Sequence, residues 1–113
     1  MTYRVRLHQH AVQDLDEAYR WSARSAPEAA ARWLERFDAA LATLAENPER
    51  CSKAPEDEQV HFEIRQLLFG RRPHVFRVLY TIDSDTVRVF RILRAQRRFL
   101  TRRQIEDAAE NGE

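Results

Sequence analysis

The sequence predicts an α+β fold: an N-terminal strand, an antiparallel helical hairpin packed on a mainly antiparallel sheet, and a short C-terminal helix. Three observations carry that reading. Apolar residues alternate with period two at the start of the chain, take helical spacing from about residue 11 to 44, and return as β-branched and aromatic runs between 62 and 93. Helical and strand-like stretches are therefore segregated along the chain. That order favours helices gathered on one face of an antiparallel sheet over an alternating parallel arrangement.

Each element has its own warrant. From Tyr3 to His8, the residues Tyr3, Val5 and Leu7 fall on one side and Arg4, Arg6 and His8 on the other, as in a half-buried strand. From Ala11 onward, Ala11, Leu15, Ala18, Tyr19 and Ser22 share a helical stripe. Asp14, Asp16 and Glu17 fall early, where acidic side chains suit the positive end of the helix dipole. Ser25-Ala26-Pro27-Glu28 reads as a break and a new start, with Ser25 and Glu28 spaced as a capping box and Pro27 tolerated in a first turn. Ala30, Trp33, Leu34, Phe37, Leu41 and Leu44 mark the buried face of the second helix, which Asn47-Pro48 stops. The short connection makes the two helices an antiparallel hairpin.

Residues 48–60 form a polar loop. Phe62–Phe69, Val75–Ile82 and Val87–Leu93 read as strands, with one turn over Gly70–His74 and a tight hairpin over Asp83–Thr86. A tight hairpin sets Ile82 opposite Val87 and Tyr80 opposite Val89. Phe76, Val78, Tyr80, Ile82, Val87 and Val89 then share an apolar face under the helices, and Arg77, Leu79, Arg88, Phe90, Ile92 and Arg94 share the other. Thr101 with Gln104 is spaced to cap a short final helix, and residues from about Ala109 are expected to fray. A chain of 113 residues fits one domain, 1–113, with an ordered core over about 3–100.

Composition excludes several functions. No apolar run is long enough to span a bilayer and the N-terminus carries no apolar signal segment, so a cytoplasmic protein is expected. The single cysteine, Cys51, cannot form an internal disulfide, in keeping with a reducing compartment. With two glycines there is no glycine-rich phosphate loop, and four scattered histidines give no zinc spacing. Neither a metal nor a cofactor is expected.

Net charge is only +1, but its distribution is uneven. Residues 1–59 carry eight basic and eleven acidic side chains. Residues 60–103 carry eleven arginines against Glu63, Asp83 and Asp85. Arginine's planar fork suits carboxylate and phosphate. Arg77, Arg88 and Arg94 interleaved with Leu79, Phe90 and Ile92 form a basic, apolar face of a kind that a monomer seldom leaves bare, and these six are the candidate partner-binding residues.

The ordered set of motifs resembles the RelE/ParE superfamily, the plasmid-stabilisation toxins of type II toxin–antitoxin pairs. His74-Val75-Phe76-Arg77-Val78-Leu79-Tyr80, followed by Val87-Arg88-Val89-Phe90-Arg91-Ile92-Leu93, is similar to the paired strands of those toxins. Glu63-Ile64-Arg65-Gln66-Leu67-Leu68-Phe69-Gly70 is similar to the strand before them. Arg94-Ala95-Gln96-Arg97-Arg98 stands where they carry a late basic cluster. Ala11, Asp14-Leu15 and Tyr19, then Ala29, Trp33, Leu44 and Pro48, match their helical half, and Ala54-Pro55-Glu56 their loop.

The resemblance implies a toxin neutralised by a cognate antitoxin in a hetero-oligomer, with one of two targets. A ParE-like toxin inhibits growth by binding DNA gyrase and is not itself an enzyme. A RelE-like toxin is a ribosome-dependent mRNA endoribonuclease. In the second case Arg65, Arg77 and Arg97 (or Arg98) fall where such nucleases keep cationic catalytic residues, with Glu63 or His61 as the candidate base. Arg77→Ala would then abolish toxicity with little loss of stability. Cleavage through the 2′-OH also needs an acid for the leaving oxygen, and arginine cannot be the base because it stays protonated. No such acid is evident, which favours the ParE-like reading. A third possibility is a non-toxic relative kept for partner binding.

Overall fold

The computed structural model describes residues 2–110. Its elements are β1 (Arg4–Leu7), α1 (Gln9–Ala23), α2 (Pro27–Ala42), β2 (Arg65–Arg71), β3 (His74–Asp83), β4 (Thr86–Arg94) and α3 (Arg102–Glu110), with single 3-10 turns at Thr43–Ala45, Pro48–Arg50 and Pro55–Gln59. The four strands form one sheet in the order β1-β4-β3-β2. β1 runs parallel to β4 and the other pairings are antiparallel. No helix among the described residues is long and apolar enough to cross a membrane.

The α+β order holds, and so does the hairpin register. Ser84 and Asp85 close the β3–β4 turn, with Ser84 at a φ of 55°, and Ile82 pairs with Val87 and Tyr80 with Val89. α1 and α2 cover one face of the sheet. There Ala11, Phe37, Leu41 and Leu44 meet Phe76, Val78, Tyr80, Val87 and Val89. Phe37, Trp33, Phe69 and Phe76 pack as mutually tilted rings, with centroids 4.8 to 6.3 Å apart.

Two local expectations fail. α1 begins at Gln9, so its first turn holds no acidic residue and Asp14 lies in its second turn. The capping box at Ser25 and Glu28 does not form: Ala26 is the N-cap of α2, no side chain caps it, and Pro27 alone marks the start. The late cap does form. Gln104 Oε1 accepts from the Thr101 N–H at 2.9 Å, and Thr101 Oγ1 accepts from the Gln104 N–H at 3.2 Å. α3 continues through Glu110, beyond the expected onset of fraying; the remaining residues of that tail, 111–113, lie outside the described residues.

The opposite sheet face corrects the sequence reading. It is covered by the chain itself. Ala54 and Ile64 from the long loop, and Leu100, Ile105 and Ala108 from the C-terminal segment, bury Leu79, Phe90 and Leu93 in a second core. The loop reaches this face through paired backbone: the Ala54 N–H donates to Ile64 O at 2.8 Å and the Gln66 N–H to Ser52 O at 3.1 Å. A bulge also breaks the alternation assumed along β4. Tyr80 pairs with Val89 but Leu79 pairs with Arg91, so Phe90 is an extra residue on β4. Beyond it the faces exchange, and Ile92 joins the core under the helices.

Candidate functional site

The six residues expected to share an open partner-binding face are therefore dispersed. Leu79, Phe90 and Ile92 are buried, the first two in one core and Ile92 in the other. Arg77 is buried, and Arg88 is held by Asp83 at 3.1 Å. Arg94 pairs with Phe76 and lies on the helix side. The bulge and the self-covering loop separate them, and neither is visible in strand periodicity.

The four candidate nuclease residues do not converge either. Arg65 pairs across strands with Tyr80, whose ring is in the core under the helices; Arg77 lies three residues away on β3 and points to the other face. Arg65 donates from Nε to Glu63 Oε1 at 2.9 Å and from Nη1 to the carbonyls of Glu49 and Cys51, closing the loop onto the sheet. Glu63 sits between that guanidinium and Lys53, whose Nζ is 3.7 Å away. Arg97 is exposed in the segment after β4.

Arg77 is only 4% exposed, and the residue facing it, Glu56, is fully buried. Glu56 takes two hydrogen bonds from Arg77, at 2.7 and 3.0 Å, and one from the Leu100 N–H at 3.1 Å. Burial pushes the Glu56 carboxyl up, but the Arg77 hydrogen bonds and the Leu100 N–H outweigh it and hold the group below the ordinary glutamate value. Gln66 Oε1 takes a further Arg77 hydrogen bond at 3.0 Å, and the Phe99 ring lies 5.3 Å from the guanidinium carbon. The place of Arg77 on β3 was legible in the sequence. Its partner Glu56 was not, because it lies 21 positions away in an irregular loop.

One depression of about 320 Å³ is lined by Arg88 and Phe90 with His8, Phe62 and Asp83, and a more extended concave surface lies at the end of the molecule where the α1–α2 turn meets the start of β3 and the end of β4. Three depressions of about 600, 370 and 660 Å³ adjoin there. The first two share Trp21, Phe76 and Arg94, and the second and third share Trp33, Arg36 and His74. Trp21 is 61% exposed. The Arg94 guanidinium carbon lies 5.3 Å from the Trp21 ring and 5.4 Å from the Phe76 ring, a double cation–π contact. Arg97 lines one end of the track and Arg71 and Arg72 the other. Sequence reasoning assigned Trp33 to the core and did not single out Trp21. Trp21 falls just off the apolar stripe of α1, which was the available signal.

Among the described residues no group of three histidine, cysteine, aspartate or glutamate side chains could hold a metal ion. The surface is built for contact: aromatic faces, guanidinium groups and small side chains.

A family described as the ParE toxin of type II toxin-antitoxin system, parDE, matches residues 5–99. Among solved structures, the chain is similar to one titled the chromosomal ParDE TA system from P. aeruginosa. The TM-score is 0.68 at 20% identity, over 84% of this chain and 98% of that one, a likeness of fold. Among curated proteins no sequence matches.

Proposed function

This chain belongs to the family of ParE toxins of type II toxin–antitoxin systems, and from that premise we propose that it inhibits growth by binding DNA gyrase and is neutralised by a cognate antitoxin. One observation supports binding over RNA cleavage: the cations a nuclease would gather around one phosphate are held apart. Arg77 is closed into a buried pair with Glu56 on one side of the sheet, while Arg65 fastens the Glu49–Cys51 loop on the other. A guanidinium held by two hydrogen bonds to a buried carboxylate cannot stabilise a phosphorane without first giving up that partner.

Purified, antitoxin-free protein tests the proposal in a supercoiling assay with purified gyrase. Inhibition or trapped cleavage complexes at near-stoichiometric protein, relieved by adding antitoxin, is the expected result. Unchanged supercoiling at large excess, from protein that arrests growth in cells, overturns it.

A further inference from the structure

We propose that the depression between the β3–β4 hairpin, the residue after β1 and the end of α3 is a binding site for a small aromatic acid: a planar ring that carries a carboxylate and an N–H or O–H donor. It lies on the sheet face away from α1 and α2, separate from the track that Trp21 and Trp33 line. The site stands or falls independently of the toxin reading.

The cavity measures about 320 Å³, at the small end of ligand pockets, which suits a molecule of one or two rings. Its apolar lining comes from separate segments. Phe62, from the loop before β2, meets Phe90 of β4 edge to face, with centroids 6.4 Å apart and planes at 76°. Phe90 is fully buried and Phe62 half-buried, so Phe62 keeps part of its ring bare beside the space, and Ala109 lines it from α3. Aromatic rings favour the edge or the offset face of another ring, and a planar ligand meets that preference here.

Two polar groups face this lining with bonding capacity unused. Arg88 is fixed by one hydrogen bond, from Nε to Asp83 Oδ2 at 3.1 Å, and its two Nη groups bond nothing among the described residues. The hairpin thus holds the guanidinium by one nitrogen and leaves free the donors that match a carboxylate. Asp83 opposes an anion here, but its side chain is 61% exposed against 33% for Arg88, so solvent screens it more.

His8 is the second group, and it is only 4% exposed. Nδ1 lies 3.4 Å from the Ala108 carbonyl, which favours the ring proton on that nitrogen and makes Nε2 an acceptor. Nε2 is buried and has no hydrogen-bond partner among the described residues. Buried acceptors are nearly always paired in folded proteins, so this one asks for a donor that the described chain does not supply. A simple anion would leave the rings and Nε2 unused, and a hydrocarbon would leave Arg88 and Nε2 unused. A ring with a carboxylate and a donor engages all three.

Indoleacetate is the probe, since it has the ring, the carboxylate and an N–H. The full chain, isotope-labelled, is titrated with it and followed by NMR at the Ala109 methyl, the Thr81 N–H and the His8 ring. Thermal midpoints are read in parallel, because a ligand of the native state alone raises them. Indole lacks the carboxylate and N-methylindoleacetate lacks the N–H, so both dissect the contacts on unaltered protein. Arg88→Leu repeats the first dissection from the protein side. A tripeptide ending in tryptophan shows whether the acid arrives free or as the end of a chain.

The expected result is saturable shifts at those three positions, none at the side chains of Trp21 and Trp33, and a raised midpoint. Affinity falls by about tenfold or more for indole, for the N-methyl compound and in folded Arg88→Leu, the loss that one charged or buried hydrogen bond carries. Tighter binding of the tripeptide than of indoleacetate assigns the site to chain ends, and weaker binding assigns it to free acids; both support it. No saturable shift at millimolar probe overturns the proposal. Equal affinity for indole or the N-methyl compound overturns it too, since apolar contact alone then holds the ring, and so do shifts that centre on Trp21 and Trp33.

Discussion

The Arg77 guanidinium grips the Glu56 carboxylate through two parallel hydrogen bonds, Nη2 to Oε2 at 2.7 Å and Nη1 to Oε1 at 3.0 Å. The same carboxylate accepts the Leu100 N–H, and Gln59 Nε2 donates to the Leu100 carbonyl at 3.1 Å. One buried ion pair thus ties the 54–64 loop, β3 and the C-terminal segment together over the second core.

Removing either partner leaves an uncompensated charge where water does not reach. Glu56→Ala and Arg77→Ala are each expected to destabilise the fold by about 3–5 kcal/mol, while the double change Glu56→Leu/Arg77→Met recovers most of that loss. This replaces the expectation of little stability loss in Arg77→Ala. Urea unfolding midpoints check it: a double-mutant cycle without coupling would mean that the two groups do not meet in solution.

His8 gives the fold an acid-sensitive edge. Its ring is buried, Nδ1 lies 3.4 Å from the Ala108 carbonyl, and Nε2 has no hydrogen-bond partner among the described residues. Burial pushes its pKa below the ordinary value of 6.5; the Ala108 carbonyl opposes the shift, and Arg88 and Arg6 add to it. Below about 6.5 the unfolded chain therefore takes up a proton that the folded chain still refuses, so stability falls with pH in that window, by at most about 1.4 kcal/mol per unit. Glu56, also lowered, adds a loss of the same sign below its ordinary value of 4.5. Thermal midpoints measured between pH 5 and 7.5 should slope for wild type and flatten for His8→Asn. Equal slopes in the two proteins would remove His8 as the cause.

What the sequence made legible was set by local, periodic physics. The Ile82–Val87 and Tyr80–Val89 pairs, the apolar stripes of α1 and α2, and the Thr101–Gln104 cap all follow from side-chain spacing within one element or across a tight turn. What escaped depends on distant contacts. Phe90 bulges where β4 meets β3 and moves Ile92 to the other face. Ala54, Ile64 and Leu100 sit in irregular backbone, so no period reveals that they cover Leu79 and Phe90. The candidate site was missed for a related reason: Trp21 of α1, Trp33 of α2 and Arg94 of β4 come from three elements and line one depression only after the hairpin lies on the sheet.

Asp14 shows how that bulge is held. Its carboxylate accepts from Arg91 Nε at 2.7 Å, Arg91 Nη2 at 3.1 Å and the Ile92 N–H at 2.9 Å. It thereby satisfies a backbone donor beside the extra residue and anchors α1 to β4. Asp14→Ala is expected to cost about 1.5–3 kcal/mol, the range for hydrogen bonds to a charged group. Asp14→Asn should cost less, since one amide oxygen can still accept from Ile92. Amide hydrogen exchange at Ile92 is the direct readout: unchanged protection in Asp14→Ala would show that the bulge stands without it.

The two target readings separate most sharply at Arg65 and Glu63. In a nuclease, Arg65→Ala would remove phosphate stabilisation and Glu63→Gln the base, and each would abolish killing. In the structure, Glu63 is an exposed carboxylate between Lys53 and Arg65, and Arg65 is a strut under the Glu49–Cys51 turn. Glu63→Gln is therefore expected to leave both growth arrest and stability near wild type, since exposed pairs contribute about 0–1 kcal/mol. Arg65→Ala should lower the melting temperature, because it frees two carbonyls, while folded protein at permissive temperature still arrests growth. Mapping of messenger 5′ ends in the arrested cells completes the test. Intact messages with altered plasmid topology agree with a gyrase-directed toxin, and codon-bounded cuts that vanish in Glu63→Gln would return the protein to the ribosome.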